Sequence, residues 1–344
     1  MKSPALMVSL LALMCSSATL AQDANPTEAR EAGFTAYMQV LAARARAAGV
    51  SEATLQAVLP GLAYDPAVIA LDRSQPGGPS NAPPPDYAPY RRRHVDNARI
   101  ARGRAMYRQL APEAGALEQR YGVPLPVVLA IWGSETDYGG TRGHFDLARS
   151  LATLAYEGRR RELFAGEFVA LLKMIDRGVP RAQLTGSWAG AFGNPQFLPS
   201  TFLRVAQDGN GDGRADIWNS PADTVASIAN YLRDAGWQPG LTWGVAARVP
   251  AGLDRQALAS HLVSPRCARV FARHSRWLTV DEWRALGVAP QAPIAGNTQA
   301  VLFEPDGPGA QAWLLTGNYR VILDYNCSNF YALSVGLLAD EIGQ

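Results

Sequence analysis

The chain has 344 residues, of which 48% are hydrophobic and 18% charged, and its formal net charge is +2. This is the composition of an ordinary globular protein long enough to bury one large core or two smaller ones, which excludes a disordered or highly charged chain. All basic residues except Lys2 and Lys173 are arginine, but acidic residues nearly balance them. Nothing calls for nucleic acid, and the tract Arg91-Arg92-Arg93 is too short to change that.

In chain order, residues 1–21 read as a cleaved secretory signal: Lys2, an apolar run over 5–14, then small residues ending at Ala21 before Gln22. The apolar run is too short for a membrane span. Cys15 makes outer-membrane lipoprotein processing the alternative, although Leu13 and Met14 before it fit that poorly. Helical periodicity covers about 29–59 and 89–121, separated by a proline-rich extended loop at 75–89. An apolar helix follows from Pro124, with Gly139 as its left-handed cap. Further helices are expected at about 147–156, 162–176, 199–205 and 223–235. Short β-favouring runs then appear at 244–249, 299–304, 312–315 and 321–325, and a helix at 328–342 closes the chain. The expected architecture is mainly α (α+β). It comprises a signal (1–21), a helical body (22–240), a small β-containing lobe (241–325) and a C-terminal helix returning to the body (326–344).

Glu135 lies in the last turn of the apolar helix. There it faces the negative end of the helix dipole and poor solvation beside Ile131 and Trp132, both of which raise a carboxyl pKa. A carboxyl kept protonated near neutrality can act as a general acid; the alternative is a Glu simply emerging into solvent. Glycosidases generally pair two carboxyl groups. Asp137 is two residues on and should point elsewhere, so a partner would have to come from Asp146, Glu157, Glu162 or Glu167.

A glycine-rich turn, Gly186-Ser187-Trp-Ala-Gly-Ala-Phe-Gly-Asn-Pro-Gln196, follows some fifty residues later. Beyond it come Asp208-Gly-Asn210-Gly-Asp212-Gly-Arg214, Ala229-Asn-Tyr231-Leu, Asn318-Tyr-Arg, and Tyr325-Asn326-Cys-Ser-Asn-Phe-Tyr331-Ala. With Glu135, and in this order, these blocks resemble the B-type lytic murein transglycosylases, glycoside hydrolase family 103, over nearly the whole mature chain. The resemblance implies a lysozyme-like helical catalytic body and a periplasmic enzyme acting on peptidoglycan glycan strands. It implies that Glu135 alone protonates the bond between N-acetylmuramic acid and N-acetylglucosamine, the acetamido group stabilises the cation, and the same carboxylate deprotonates the 6-hydroxyl, leaving a 1,6-anhydro end. No cofactor is required for that chemistry. The rivals are a muramidase that hydrolyses the same bond and a catalytically silent wall-binding scaffold. A monomer is expected, with cell-wall synthases or amidases as its protein partners.

The matching side chains suit sugars. Ser187 can hydrogen-bond Glu135 or an acetamido group, with a turn role as the alternative. Gln196 and Asn326 offer amide donors and acceptors. Tyr90, Tyr231 and Tyr331 offer flat faces with polar tips, against ordinary packing. Gly190 and Gly193 permit the turn and a close approach of glycan to backbone. Asp208, Asn210, Asp212 and the Arg214 carbonyl have the spacing of an EF-hand loop for Ca²⁺ or Na⁺. Position 12 is Asn219 rather than Glu, so Asp216 or Asp223 would complete the site; a metal-free Asx turn is the alternative. Cys267 and Cys327, the even pair left after export, are expected to form a disulfide rather than remain buried thiols. The scattered His94, His144, His261 and His274 give no zinc site.

Overall fold

The structure is a computed structural model and describes residues 26–75, 85–267 and 269–344. The signal and Cys15 lie outside the described residues, as does most of the proline-rich loop. Among the described residues no single helix is long and apolar enough to cross a membrane.

The first helical stretch is two helices rather than one. α1 (Pro26–Ala47) stops where Gly49 turns left-handed, and Ser51 then caps α2 (Glu52–Val58) by accepting from the Thr54 N–H. Asp65 likewise caps α3 (Pro66–Ser74). The second stretch also divides, into α4 (Tyr87–His94) and α5 (Asn97–Tyr121), because the Asp96 side chain caps α5 through the Arg99 N–H. Gly122, left-handed, ends α5. Apolar spacing marks a helix on either side of each break, whereas the capping residues decide where the backbone turns.

α6 (Leu125–Thr136) is buried nearly all round and packs against α5, α10 (Pro221–Asp234) and α13 (Asn329–Ile342). The remaining body helices are α7 (Leu147–Glu157), α8 (Arg161–Asp176) and α9 (Pro199–Val205). A two-residue antiparallel ladder joins β1 (Phe145–Asp146) to β2 (Thr185–Gly186), bringing the chain before α7 alongside the glycine-rich turn.

The lobe carries a five-stranded antiparallel sheet in the order β4-β6-β7-β3-β5. Its strands are β3 (Gly244–Arg248), β4 (Leu278–Thr279), β5 (Ala289–Pro290), β6 (Gln299–Phe303) and β7 (Ala312–Leu315), with α11 (Val280–Ala285) packed on it. Alternation along the strands sorts the two faces. Val245, Ala247, Leu302 and Leu314 form a separate small core with Trp283 of α11. Val301, Phe303, Trp313 and Leu315 instead join the main core shared with α6 and α13. Both faces are therefore covered, which welds the lobe to the body.

The run 321–325 is not a strand. It belongs to α12 (Gly317–Tyr325), capped by Thr316. Val321, Ile322 and Leu323 are all buried against neighbours, and packing outweighs the slight β preference of Val and Ile. Cys267 and Cys327 form a disulfide, with Cα atoms 5.4 Å apart. It pins the turn between α12 and α13 to the lobe.

Candidate active site

α6 ends earlier than Gly139. Asp137 and Tyr138 already have positive φ, at 52° and 58°, a conformation uncommon for non-glycine residues. This reversal folds Tyr138 back on α6, where a Cβ on Gly133 would lie 2.5 Å from the Tyr138 ring. Asp137 turns outward to Arg102, accepting at 2.7 Å, so it is no partner for Glu135. Thr136 donates to the Asn194 carbonyl at 3.0 Å, and the Asn194 amide donates to Thr224 of α10. The end of α6 and the glycine-rich turn are thus bolted together.

Glu135 is partly exposed as a residue, and protein surrounds its carboxyl. Its one hydrogen-bond partner among the described residues is Tyr331 of α13, whose hydroxyl donates to Oε1 at 2.6 Å. Burial pushes the Glu135 pKa up to about 7, and the Tyr331 hydrogen bond only partly opposes this. The Tyr331 hydroxyl is raised well above its ordinary range, by burial first and by the Glu135 charge next. Tyr331 is therefore a partner of the carboxyl rather than an open sugar platform.

All four carboxylates considered as a second acid are committed elsewhere. Asp146 pairs with Arg181, Glu157 with Arg73 and Arg30, and Glu162 with Arg44. Glu167 accepts from the Ser200 hydroxyl and amide.

The turn is shaped by its own hydrogen bonds. Ser187 Oγ accepts from the Ala191 N–H at 3.0 Å, a turn-holding role. Gln196 takes φ 52° and donates its side-chain amide to the Gly193 carbonyl. Gly190 and Gly193 have the positive φ that the turn requires. Their missing side chains would strike Leu151 and Ile217, so the close approach they allow is to the protein interior, not to glycan.

Tyr90 stacks on His94 at 3.8 Å and contacts Phe330, and its hydroxyl is raised by burial and then by Glu135. It lies close enough to the carboxyl to feel its charge. Tyr231 offers no open face: it is 5% exposed, flanked by Phe197 and Tyr325, with its hydroxyl donating to the Asp324 carbonyl. It is a packing residue that supports Tyr325. Tyr325, not singled out from the sequence, donates to the Pro195 carbonyl at 2.6 Å and feels the Glu135 charge. Its place beside Asn326 in the motif was the available signal. Asn326 is exposed on the turn between α12 and α13 and ends α12 through its backbone N–H.

The Asp208 loop is wound by its own side chains. Asp208 accepts from the N–H groups of Gly211, Asp212 and Gly213, which lowers its pKa, and Asp212 accepts from Arg214. Asp223 is fully buried, and its two oxygens accept from Gly209, Asn210 and Asp216. It braces the loop from behind instead of offering a free ligand. Asp216 is likewise occupied by Trp218 and Asn219. Among the described residues no three His, Cys, Asp or Glu side chains converge as metal ligands.

The carboxyl at the end of a buried helix, beside a glycine-rich turn and a tyrosine from the last helix, is the candidate active site. The transglycosylase SLT domain model matches residues 33–340, and the chain belongs to that family. It is 31% identical over 270 residues to membrane-bound lytic murein transglycosylase B of Escherichia coli K12, covering 78% of this chain and 69% of that protein. The crystal structure of Pseudomonas aeruginosa SltB3 in complex with NAG-NAM-pentapeptide is 38% identical with a TM-score of 0.80, covering 90% of this chain and 79% of that one. Escherichia coli lytic transglycosylase Slt35 in complex with calcium is 29% identical, with a TM-score of 0.72 over 90% of this chain and 92% of that one. The fold is accordingly the mainly α, lysozyme-like one of lytic transglycosylases, with a β lobe.

Proposed function

We propose that this protein is a lytic transglycosylase of peptidoglycan glycan strands and that Glu135 performs both proton transfers. The observation that carries the reading is the enclosed Glu135 carboxyl, its pKa raised to about 7 and its hydrogen bond from Tyr331. Near neutral pH a large share of Glu135 is protonated, and it donates that proton to the glycosidic oxygen between N-acetylmuramic acid and N-acetylglucosamine as the bond breaks. The carboxylate left behind keeps the Tyr331 hydrogen bond on Oε1, leaving Oε2 to accept the proton of the muramic 6-hydroxyl as that oxygen attacks C1. The proton is thus returned to Glu135, and the product ends in a 1,6-anhydro ring. An intramolecular hydroxyl is favoured over water by its high effective concentration. Hydrolysis would call for a second carboxylate or a positioned water, and the four candidate carboxylates are bound to other partners.

The known relatives support a wall substrate: SltB3 is seen with a peptidoglycan fragment and the Escherichia coli relative is named a murein transglycosylase. The signal-like segment 1–21 supports export to the periplasm. The oxygen-rich loop suits a weakly held hard cation of structural purpose, with Asp208, Asn210 and Asp212 as side-chain donors and the fully buried Asp223 bracing the loop from behind. Mass spectrometry of products from purified glycan strands tests the reaction. Anhydro ends are expected; reducing ends carrying ¹⁸O from labelled water would make the enzyme a hydrolase.

A further inference from the structure

A cleft of about 610 Å³ opens where the lobe meets the body, lined by Gln238, Trp277, Asn297, Thr298, Gln299 and Gly317 among others. Gly317 begins α12, whose other end, at Tyr325, feels the Glu135 charge. The nine residues of that helix set its two ends ~12 Å apart. None of the side chains that bond to Glu135 or feel its charge lines the cleft. Its walls are held from behind. Asn318, fully buried, donates to the Gln238 and Leu241 carbonyls and accepts from the Gln238 N–H. The turn carrying Asn297 is tied to α11 by the Asp281 N–H, which donates to the Gly296 carbonyl at 2.9 Å. Arg320 lies over the Trp277 ring, its guanidinium carbon 4.3 Å from the centroid, and Phe271 stacks on the same guanidinium at 3.9 Å. Two members of the Asn318-Tyr-Arg block thus fix one wall of the cleft and its indole.

None of the lining residues is charged, and among the described residues the side chains of Gln238, Asn297, Thr298 and Gln299 and the Trp277 indole N–H make no hydrogen bond. At the glycine-rich turn, by contrast, Ser187 and Gln196 are bonded within their own loop. Three amides supply donors and acceptors side by side, and a half-buried indole supplies a flat apolar face with one donor. This combination matches an uncharged sugar ring, whose C–H face packs on an aromatic ring while its hydroxyl and acetamido groups bond to amides. Of the two sugars in a peptidoglycan strand, N-acetylmuramic acid carries a lactyl carboxyl or the peptide attached to it, which leaves N-acetylglucosamine as the uncharged one. We propose that the cleft is a second carbohydrate site, separate from the one at Glu135, which holds an N-acetylglucosamine unit and so keeps the enzyme on its strand. The proposal rests on the glycan-cleaving reading above and adds a holding site remote from the chemistry.

The test titrates ¹⁵N-labelled protein with an N-acetylglucosamine tetramer and follows the indole N–H signal of Trp277, identified as the one missing from Trp277→Phe. A shift that saturates at roughly millimolar sugar is expected, since one ring on an open platform binds weakly. A protein carrying both Asn297→Ala and Gln299→Ala, at exposed positions where folding is safe, should need roughly 5-fold more sugar. Holding helps cleavage only where one strand reaches both sites. The same double variant should therefore lose roughly 3–10-fold in kcat/KM on long peptide-free strands and keep the wild-type value on a four-sugar fragment, which leaves too few sugars beyond the cut bond to reach the cleft. A Trp277 signal that stays still, with strands still cleaved, overturns the site alone. A signal that shifts, with an unchanged ratio of long-strand to fragment kcat/KM in the double variant, overturns its strand-holding role. Wild type that cleaves neither substrate overturns the glycan-cleaving reading itself.

Discussion

Glu135→Gln separates the stability cost of the enclosed carboxyl from its proposed use in catalysis. The substitution keeps shape and lets Tyr331 still donate to the side-chain oxygen, while removing the ionisable group. A rise in pKa from the ordinary 4.5 to about 7 is a span of roughly 2.5 pH units, which at ~1.4 kcal/mol per unit comes to about 3 kcal/mol. Its sign follows from which form the fold prefers. The folded state favours the protonated carboxyl, so the group adds no penalty below pH 4.5, where folded and unfolded chains are both protonated. As pH rises through 4.5 to 7 the unfolded chain releases its proton first, and above 7 the folded protein bears the whole penalty. Glu135→Gln should therefore match wild type in stability at pH 4 and exceed it by up to about 3 kcal/mol at pH 8. Urea unfolding of both proteins at the two pH values reads this directly. Turnover should fall by at least the ~10²–10⁴-fold of a lost general acid. An equal stability difference at both pH values would refute the raised pKa and, with it, the argument that burial keeps this carboxyl protonated for work.

Tyr331→Phe removes a hydrogen bond that favours the carboxylate, so the Glu135 pKa should rise further. The alkaline limb of the kcat/KM profile should then move to higher pH while kcat drops, and an unmoved limb would count against the contact. Cys267→Ser with Cys327→Ser opens a link spanning 60 residues, worth about 4 kcal/mol in the chain-entropy model. Thermal melts should show the loss, and peptide mapping without reductant should recover the linked pair from wild type. Calcium titrated into chelated protein should raise Tm in wild type but not in Asp208→Ala, with glycan cleavage by the folded protein little affected. A flat melting curve would argue for a metal-free turn.

Much of the site could be read from the chain because its parts are local. The apolar surroundings of Glu135 within one helix already imply a desolvated carboxyl at a helix end, and the structure finds that carboxyl shifted toward neutrality. The glycine-rich turn announces positive φ at Gly190 and Gly193, and the even cysteine pair announces the disulfide. Which face of the lobe sheet meets the body is not written in its strands, because 300–303 and 312–315 are continuous apolar runs whose alternate residues the fold assigns to two cores.

Other features depended on which surfaces meet, and periodicity says that a face is buried without saying against what. Tyr331 and Tyr231 are both tyrosines in matching motifs, but α13 brings the first to the carboxyl while α10 packs the second between Phe197 and Tyr325. Asp223 has the right chemistry for a ligand, but the backbone of the loop in front of it consumes both its oxygens. Val321 and Ile322 lean toward a strand, and became helix because burial of α12 beside α13 outweighs a few tenths of a kcal/mol in propensity. The sequence alone determined which residues could do chemistry; the tertiary fold decided which keep free atoms beside Glu135, because a hydrogen bond or packed face goes to whichever neighbour the packing brings within reach.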